Sequence, residues 1–442
     1  MTQPSRLRPP AVLPESLPAR LPGRFGGPDP ERVPEQLSQA TSAQPSGSRS
    51  GPYVPGTGDE EGPSERVPGR HIPERPCVTE LALSAFAVHR SASYPLGPLT
   101  LFTGPSGSGK SSALRAYEAL ARLGGGAELG EVFPDPDACV PEQARPDAQR
   151  RRGFRIGCTV DGPIGPVRLD LAVQAQPALR VVGERLSQGG HTLFDSALRD
   201  PSRPHVHGAW HTAGSAPVTR APLPDDRLGT ALLPLRVAGK TDGQRQVLAA
   251  AEQMVVALRS VFPCDPWPQG MRAPALPGSG RLLGGCDNLA EVLRRTSTEC
   301  AVRHGHLVAA AGAGCAGSVT GVRTEELPDG RVRALLDRGD LGVTPVGRLG
   351  DGELRFLALA LVLLTGPGVL EVDPVVEVPS AYQTLTVLAD GLDRGLDRGQ
   401  VSALVALAGR MCARGHIRLV GSVTEPPRAG ETEGLTVVDL GP

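Results

Sequence analysis

The stretch Leu99-Thr100-Leu101-Phe102-Thr103-Gly104-Pro105-Ser106-Gly107-Ser108-Gly109-Lys110-Ser111-Ser112 carries most of what this chain discloses about its fold. Five residues of strand character run into a glycine-rich turn. Ser112–Leu123 (SALRAYEALARL) then has helical spacing and is closed by Gly124–Gly126. Residues 104–111 satisfy G-x-x-x-x-G-K-[ST] in the strand–loop–helix context that a phosphate cradle requires. Glycines let the backbone curl until successive N–H groups converge on phosphate oxygens, and the following helix adds its positive end. The expected cradle for ATP is Gly104, Pro105, Ser106, Gly107, Ser108, Gly109, Lys110, Ser111 and Ser112. Lys110 is expected between the β- and γ-phosphates, with the Ser111 hydroxyl on Mg2+.

Lysine scarcity sharpens the motif. The chain holds 46 lysines and arginines, of which only Lys110 and Lys240 are lysine. A chance match is therefore roughly a few in a thousand. One of the two lysines also sits where arginine's planar fork is a poor substitute for a compact ammonium. Val237–Thr241 (VAGKT) repeats the motif only in outline, because Pro234 occupies the upstream glycine position and has no N–H to offer. The bias toward Arg, Ala, Gly and Pro is that of a high-GC bacterial genome.

Composition narrows the classes further. A net charge of −1 gives no bulk electrostatic case for nucleic acid. The densest basic cluster, Arg145, Arg150, Arg151, Arg152 and Arg155, reads as a solvated strand edge in preference to a phosphate-backbone patch. Eight scattered cysteines without a C-x-x-C pair read as buried small hydrophobes in a reducing compartment. The N-terminus lacks an apolar signal core, and the most apolar run, Phe356–Leu364, is too short to span a bilayer. A cytoplasmic protein with no membrane partner is expected.

Residues 1–75 are rich in Pro, Gly, Ser and Arg and are expected to form a disordered tail. Strand-like spacing follows at 78–86, 99–103, 154–160, 167–173 and 179–182, whereas about 184–235 offers no clear element. Helices are expected at 243–261, 288–310, 353–365, 381–391 and 400–414, and strands at 331–336, 342–346, 368–372, 417–423 and 436–440. The alternation argues for an α/β core with a largely parallel sheet. The domain reading is a head in two halves, 76–183 and 331–442, interrupted by a mixed insert at 184–330.

The segment Arg348–Leu363 (RLGDGELRFLALALVL) selects among phosphate-loop classes. It resembles the signature motif of RecF- and SMC-like ABC-type ATPases, with Leu349, Gly350, Asp351, Gly352 and Glu353 at the matching places. Arg355 and Phe356 follow as in the predicted-ATPase group of that family. The opening TELALSAFAVHRSASYPLGPLTLFTG and the order of phosphate loop, long insertion, signature and acidic strand are also similar. The resemblance implies a P-loop NTPase head with a mixed sheet flanked by helices. It further implies a homodimer around ATP, in which Gly350, Asp351, Gly352 and Glu353 of one chain meet the nucleotide of the other.

Gly350 stands where the family's signature carries serine, and two further positions depart from that family. After the signature a strand should end in Asp-Glu; here Asp373 is assigned to Mg2+, Pro374 stands where the catalytic glutamate is expected, and Glu377 is the substitute candidate. The strand at 417–423 should deliver a histidine but ends in Thr424-Glu425, with His416 at its other end. Weak or absent hydrolysis is the expectation. The alternatives are a phosphotransferase with its acceptor pocket near 190–230, and a non-catalytic ATP-dependent interaction protein. In that region His191, His205, His207 and His211 read as a solvated loop in preference to a metal site. DNA remains a family analogy without support from charge.

Overall fold

The structure, a computed structural model, describes residues 75–212, 218–373, 375, 378–426 and 434–441. The expected tail at 1–74 and the candidate base Glu377 lie outside these residues. In chain order the first elements are β1 (Cys77–Phe86), β2 (His89–Pro95), β3 (Leu99–Thr103), α1 (Lys110–Gly124) and α2 (Leu129–Val132). Next come β4 (Arg152–Asp161), β5 (Val167–Gln176), β6 (Arg180–Gln188), β7 (His191–Ala197), β8 (His205–His211), β9 (Val218–Pro224), α3 (Gly229–Arg236) and α4 (Asp242–Arg259). The chain continues with β10 (Val261–Pro263), α5 (Pro268–Met271), α6 (Leu289–Glu299), α7 (Ala301–Gly314), β11 (Gly321–Glu326), β12 (Val332–Asp337) and β13 (Val343–Pro345). It ends with α8 (Asp351–Leu364), β14 (Leu385–Ala389), α9 (Arg398–Cys412), β15 (Ile417–Ser422) and β16 (Leu435–Asp439).

The fold is α/β, as expected. A five-stranded parallel sheet in the order β10-β14-β15-β3-β16 carries the phosphate loop on its β3 strand. Successive side chains of a strand leave by opposite faces, and the two faces here serve two cores. Phe102, Leu388, Val420 and Val438 pack with α1, α4 and the antiparallel sheet, whereas Leu101, Val387, Ala389 and Leu419 pack with α6 to α9. Arg418 of β15, 8% exposed, reaches across to donate to the carbonyls of Val78, Leu96 and Gly97 at 3.2, 2.8 and 2.8 Å.

The eight-stranded antiparallel sheet runs β2-β1-β4-β5-β6-β7-β8-β9. It corrects the expectation of no element at about 184–235. Of the prolines and glycines that suggested a loop, Gly189, Gly190, Pro201 and Pro204 lie between strands, with Gly189 and Gly190 both at positive φ between β6 and β7, whereas others are accommodated within strands and α3. Pro222 and Pro224 lie on β9, which is an edge strand and so tolerates a residue that cannot donate to the ladder. β8 alternates strictly, with Val206, Gly208 and Trp210 buried and His205, His207 and His211 on the other face. The sheet also crosses the expected 183/184 domain boundary, which falls inside β6. The supposed acceptor region at 190–230 is thus mostly sheet.

Three helix and strand expectations change. The helix expected at 288–310 is two, broken at Cys300, whose φ of −152 and ψ of 96 are extended. The helix expected at 381–391 is a short turn at Ser380–Tyr382 followed by strand β14. All five residues of β14 are buried, and in a five-residue run buried on both faces periodicity cannot separate strand from helix. The strand expected at 368–372 joins none of the three sheets; Leu370 makes an isolated bridge to Leu282, and Val369, Leu370 and Val372 are buried in the core.

Candidate nucleotide site

The loop leaves the parallel sheet where β3 ends. Gly104, Gly107 and Gly109 have φ of 135, 85 and 102, which L side chains rarely adopt. Ser108 N–H donates to the Pro105 carbonyl at 3.2 Å, and Ala113 N–H to Gly109 at 2.9 Å, so the turn closes directly into α1. Pro105, Ser106 and Gly107 are exposed, Ser112 is buried, and Arg115 donates to its hydroxyl at 3.3 Å. The Lys110 ammonium folds back on the loop, donating to the Gly104 and Pro105 carbonyls at 2.6 and 2.9 Å. The Ser108 hydroxyl is buried in the cradle without a protein partner.

The carboxylate that meets this loop is Asp390, directly after β14. One strand, β15, separates β14 from β3, and it ends in the small residues Gly421 and Ser422, which leaves room for a contact across it. Ser111 Oγ donates to Asp390 Oδ1 at 3.0 Å. Ser422 Oγ donates to the same oxygen at 2.6 Å and accepts the Gly391 N–H at 2.8 Å. The next position is Gly391, at φ 63, and the following carboxylate, Asp393, is engaged by the Thr424 N–H at 2.7 Å. His416 lies at the opposite end of β15, its carbonyl accepting Leu385 N–H.

Asp373 is placed elsewhere. Its carboxylate pairs with Arg259 at 2.7 Å, its carbonyl accepts from Arg259 Nε at 3.0 Å, and its side chain is 77% exposed. The expectation of Asp373 as the metal carboxylate rests on its place at the end of the apolar run that follows Leu349–Glu353. The carboxylate that contacts Ser111 follows a different buried run, Leu385-Thr-Val-Leu-Ala-Asp390, which the sequence reading did not single out.

Leu349, Gly350, Asp351, Gly352 and Glu353 form a second constructed element at the start of α8. Arg272 clasps it through the Gly347 and Leu349 carbonyls at 2.8 and 2.7 Å and the Asp351 carboxylate at 2.6 Å. Glu353 accepts from its own turn at Gly350 N–H and from Ala316 N–H, both at 2.8 Å. At Gly352 a Cβ would stand 2.2 Å from the Gly395 carbonyl oxygen, so only glycine allows α8 to approach this closely. Arg355, 5% exposed, donates to Asp265 at 3.0 Å, to the Pro266 carbonyl at 2.6 Å and to the Gly391 carbonyl at 3.3 Å. The start of α8 is therefore tied to the turn after Asp390. Among the described residues no hydrogen bond joins it to Gly104–Ser111 of its own chain.

Beside α1 a cavity of about 770 Å³ opens, lined by Val88, Arg90, Ser112, Arg115, Glu142 and Gln143 among others. The His205 and His207 rings lie 5.2 Å apart, but the described residues contain no group of three His, Cys, Asp or Glu able to hold a metal. Every cysteine is free, and no helix among the described residues is long and apolar enough to cross a membrane.

No protein-family model and no curated protein sequence matches the chain. Among solved structures it is similar to an SMC head bound to the C-winged helix domain of ScpA, at 11% identity and a TM-score of 0.44, over 81% of this chain and 93% of that one. It is also similar to the SMC head domain from Thermotoga maritima, at 11% identity and a TM-score of 0.40, over 82% and 94%. A third is the SMC head with an extended coiled coil bound to the C-terminal domain of ScpA derived from Pyrococcus furiosus, at 10% identity and a TM-score of 0.39, over 79% and 90%.

Proposed function

We propose that this chain is an ATP-binding head in which Gly104–Ser111 hold the triphosphate and Ser111 with Asp390 hold Mg2+. The observation that carries this reading is the 3.0 Å contact between Ser111 Oγ and Asp390 Oδ1 beside a glycine cradle with an orphaned Ser108 hydroxyl. One hydroxyl and one carboxylate suit Mg2+, which keeps several waters and takes its remaining oxygens from phosphates. When bound, the ion would neutralise charge on the β- and γ-phosphates. The cavity lined by Arg90, Arg115 and Gln143 supplies space for the rest of the nucleotide.

Turnover is slow in this account. The position after Asp390 is a glycine whose φ of 63 disfavours any side chain, and Asp393 is already engaged by Thr424 N–H. That leaves no free carboxylate in the turn to take a proton from water. The earlier candidates Asp373 and Glu377 are not needed for the reading. The signature at Leu349–Glu353 offers a helix N-terminus to the nucleotide of a second copy, giving a head-to-tail dimer.

The test is sedimentation of the purified chain with Mg2+ and ATP, alongside a phosphate-release assay. The expected result is an ATP-dependent shift from monomer to dimer with turnover well below about 1 s⁻¹, the lower end of the usual enzyme range. Rapid multiple turnover, or a molecular mass indifferent to ATP, would count against it.

A further inference from the structure

His89 opens β2, and the chemistry described so far does not use it. Its side chain is nonetheless built in, at 6% exposure. Nε2 lies 3.1 Å from the Gly109 carbonyl oxygen and Nδ1 lies 2.8 Å from the Tyr94 hydroxyl. A carbonyl only accepts, so Nε2 carries the proton, and Nδ1 is left to accept from Tyr94. Burial holds the imidazole below its ordinary pKa, which suits this neutral form. The Tyr94 ring packs edge-on against His89 and Phe102, with centroids 5.6 and 5.4 Å away, and Phe102 belongs to the strand that delivers the loop.

The Gly109 carbonyl therefore has two donors, the His89 ring and the Ala113 N–H. A trans peptide is planar, so pinning that carbonyl fixes the Lys110 N–H in the opposite direction. The ring also fills the space that a side chain at 109 would need, since a Cβ there would meet His89 Cε1 at 2.7 Å.

We propose that His89 is a positioning residue of the phosphate loop, setting the Gly109–Lys110 peptide plane so that the Lys110 N–H faces a bound triphosphate. The inference rests on the reading of the loop as a MgATP site.

It is tested by titrating a fluorescent N-methylanthraniloyl-ATP, with Mg2+, into wild type, His89→Ala and His89→Gln, with melting temperatures measured in parallel. Removing the ring should weaken binding about tenfold, the effect of one hydrogen bond of ordinary strength. The glutamine variant, whose amide can donate to Gly109 and accept from Tyr94, should stay within about threefold of wild type. Nitrogen-15 NMR of the wild type should find His89 protonated at Nε2 and bare at Nδ1. The proposal is overturned by unchanged affinity in His89→Ala, by a glutamine variant as weak as alanine but equally well folded, or by the opposite tautomer. If wild type itself binds no nucleotide, it is the site reading that fails, and the tautomer measurement still judges the geometry.

Discussion

Lys110→Ala should lose most of its affinity for MgATP. The ammonium sits 2.6 and 2.9 Å from two carbonyls of its own loop, so it is held at the cradle before any phosphate arrives. Charge-assisted hydrogen bonds to phosphate are roughly twice as strong as neutral ones. Losing them should cost about 3 kcal/mol, more than a hundredfold in dissociation constant. The melting temperature of the nucleotide-free protein should barely move, because Lys110 is only half-buried and no packing depends on it. Equilibrium titration with ATP and Mg2+ checks this. A variant that bound with wild-type affinity would remove the loop from the account.

Asp390→Asn should lose the magnesium-dependent part of binding, roughly thirtyfold or about 2 kcal/mol. The amide keeps an acceptor for Ser422 Oγ, so the turn after β14 should survive while the charge beside Ser111 disappears. With the metal chelated by EDTA, variant and wild type should bind ATP alike. Asp373→Asn supplies the contrast: its partner is Arg259, its side chain is 77% exposed, and such surface pairs contribute little. Its expected change is within about twofold. The reverse ranking of the two variants would restore Asp373 to the site and remove Asp390 from it.

The strand–glycine turn–helix unit at 99–124 was legible in the sequence because all its parts are neighbours in the chain. The helix start at Leu349–Glu353 was legible as a segment for the same reason, although its clasp by Arg272 and the close approach of Gly352 to Gly395 were not. Asp390 was hidden because β14 is buried on both faces, so its residues do not alternate and its short apolar run passes for a helix. The run before Asp373 has the same apolar look, and only pairing distinguishes them: β14 joins β15 and β10, whereas Leu370 bridges Leu282 alone. The strands from β7 to β9 were hidden by composition. Their prolines count against a strand only where the N–H is needed, and Pro222 lies at the free edge of the sheet. His89 carried no local signal, being twenty residues from the carbonyl it meets.

The most direct measurement is a calorimetric titration of the wild-type chain with ATP in the presence of Mg2+. Saturable binding of one nucleotide per chain is expected in the micromolar range or tighter, about −8 kcal/mol, weakened when the metal is chelated. Absence of saturable binding up to millimolar ATP, or binding indifferent to Mg2+, would contradict the assignment of Gly104–Ser111 and Asp390 to one site.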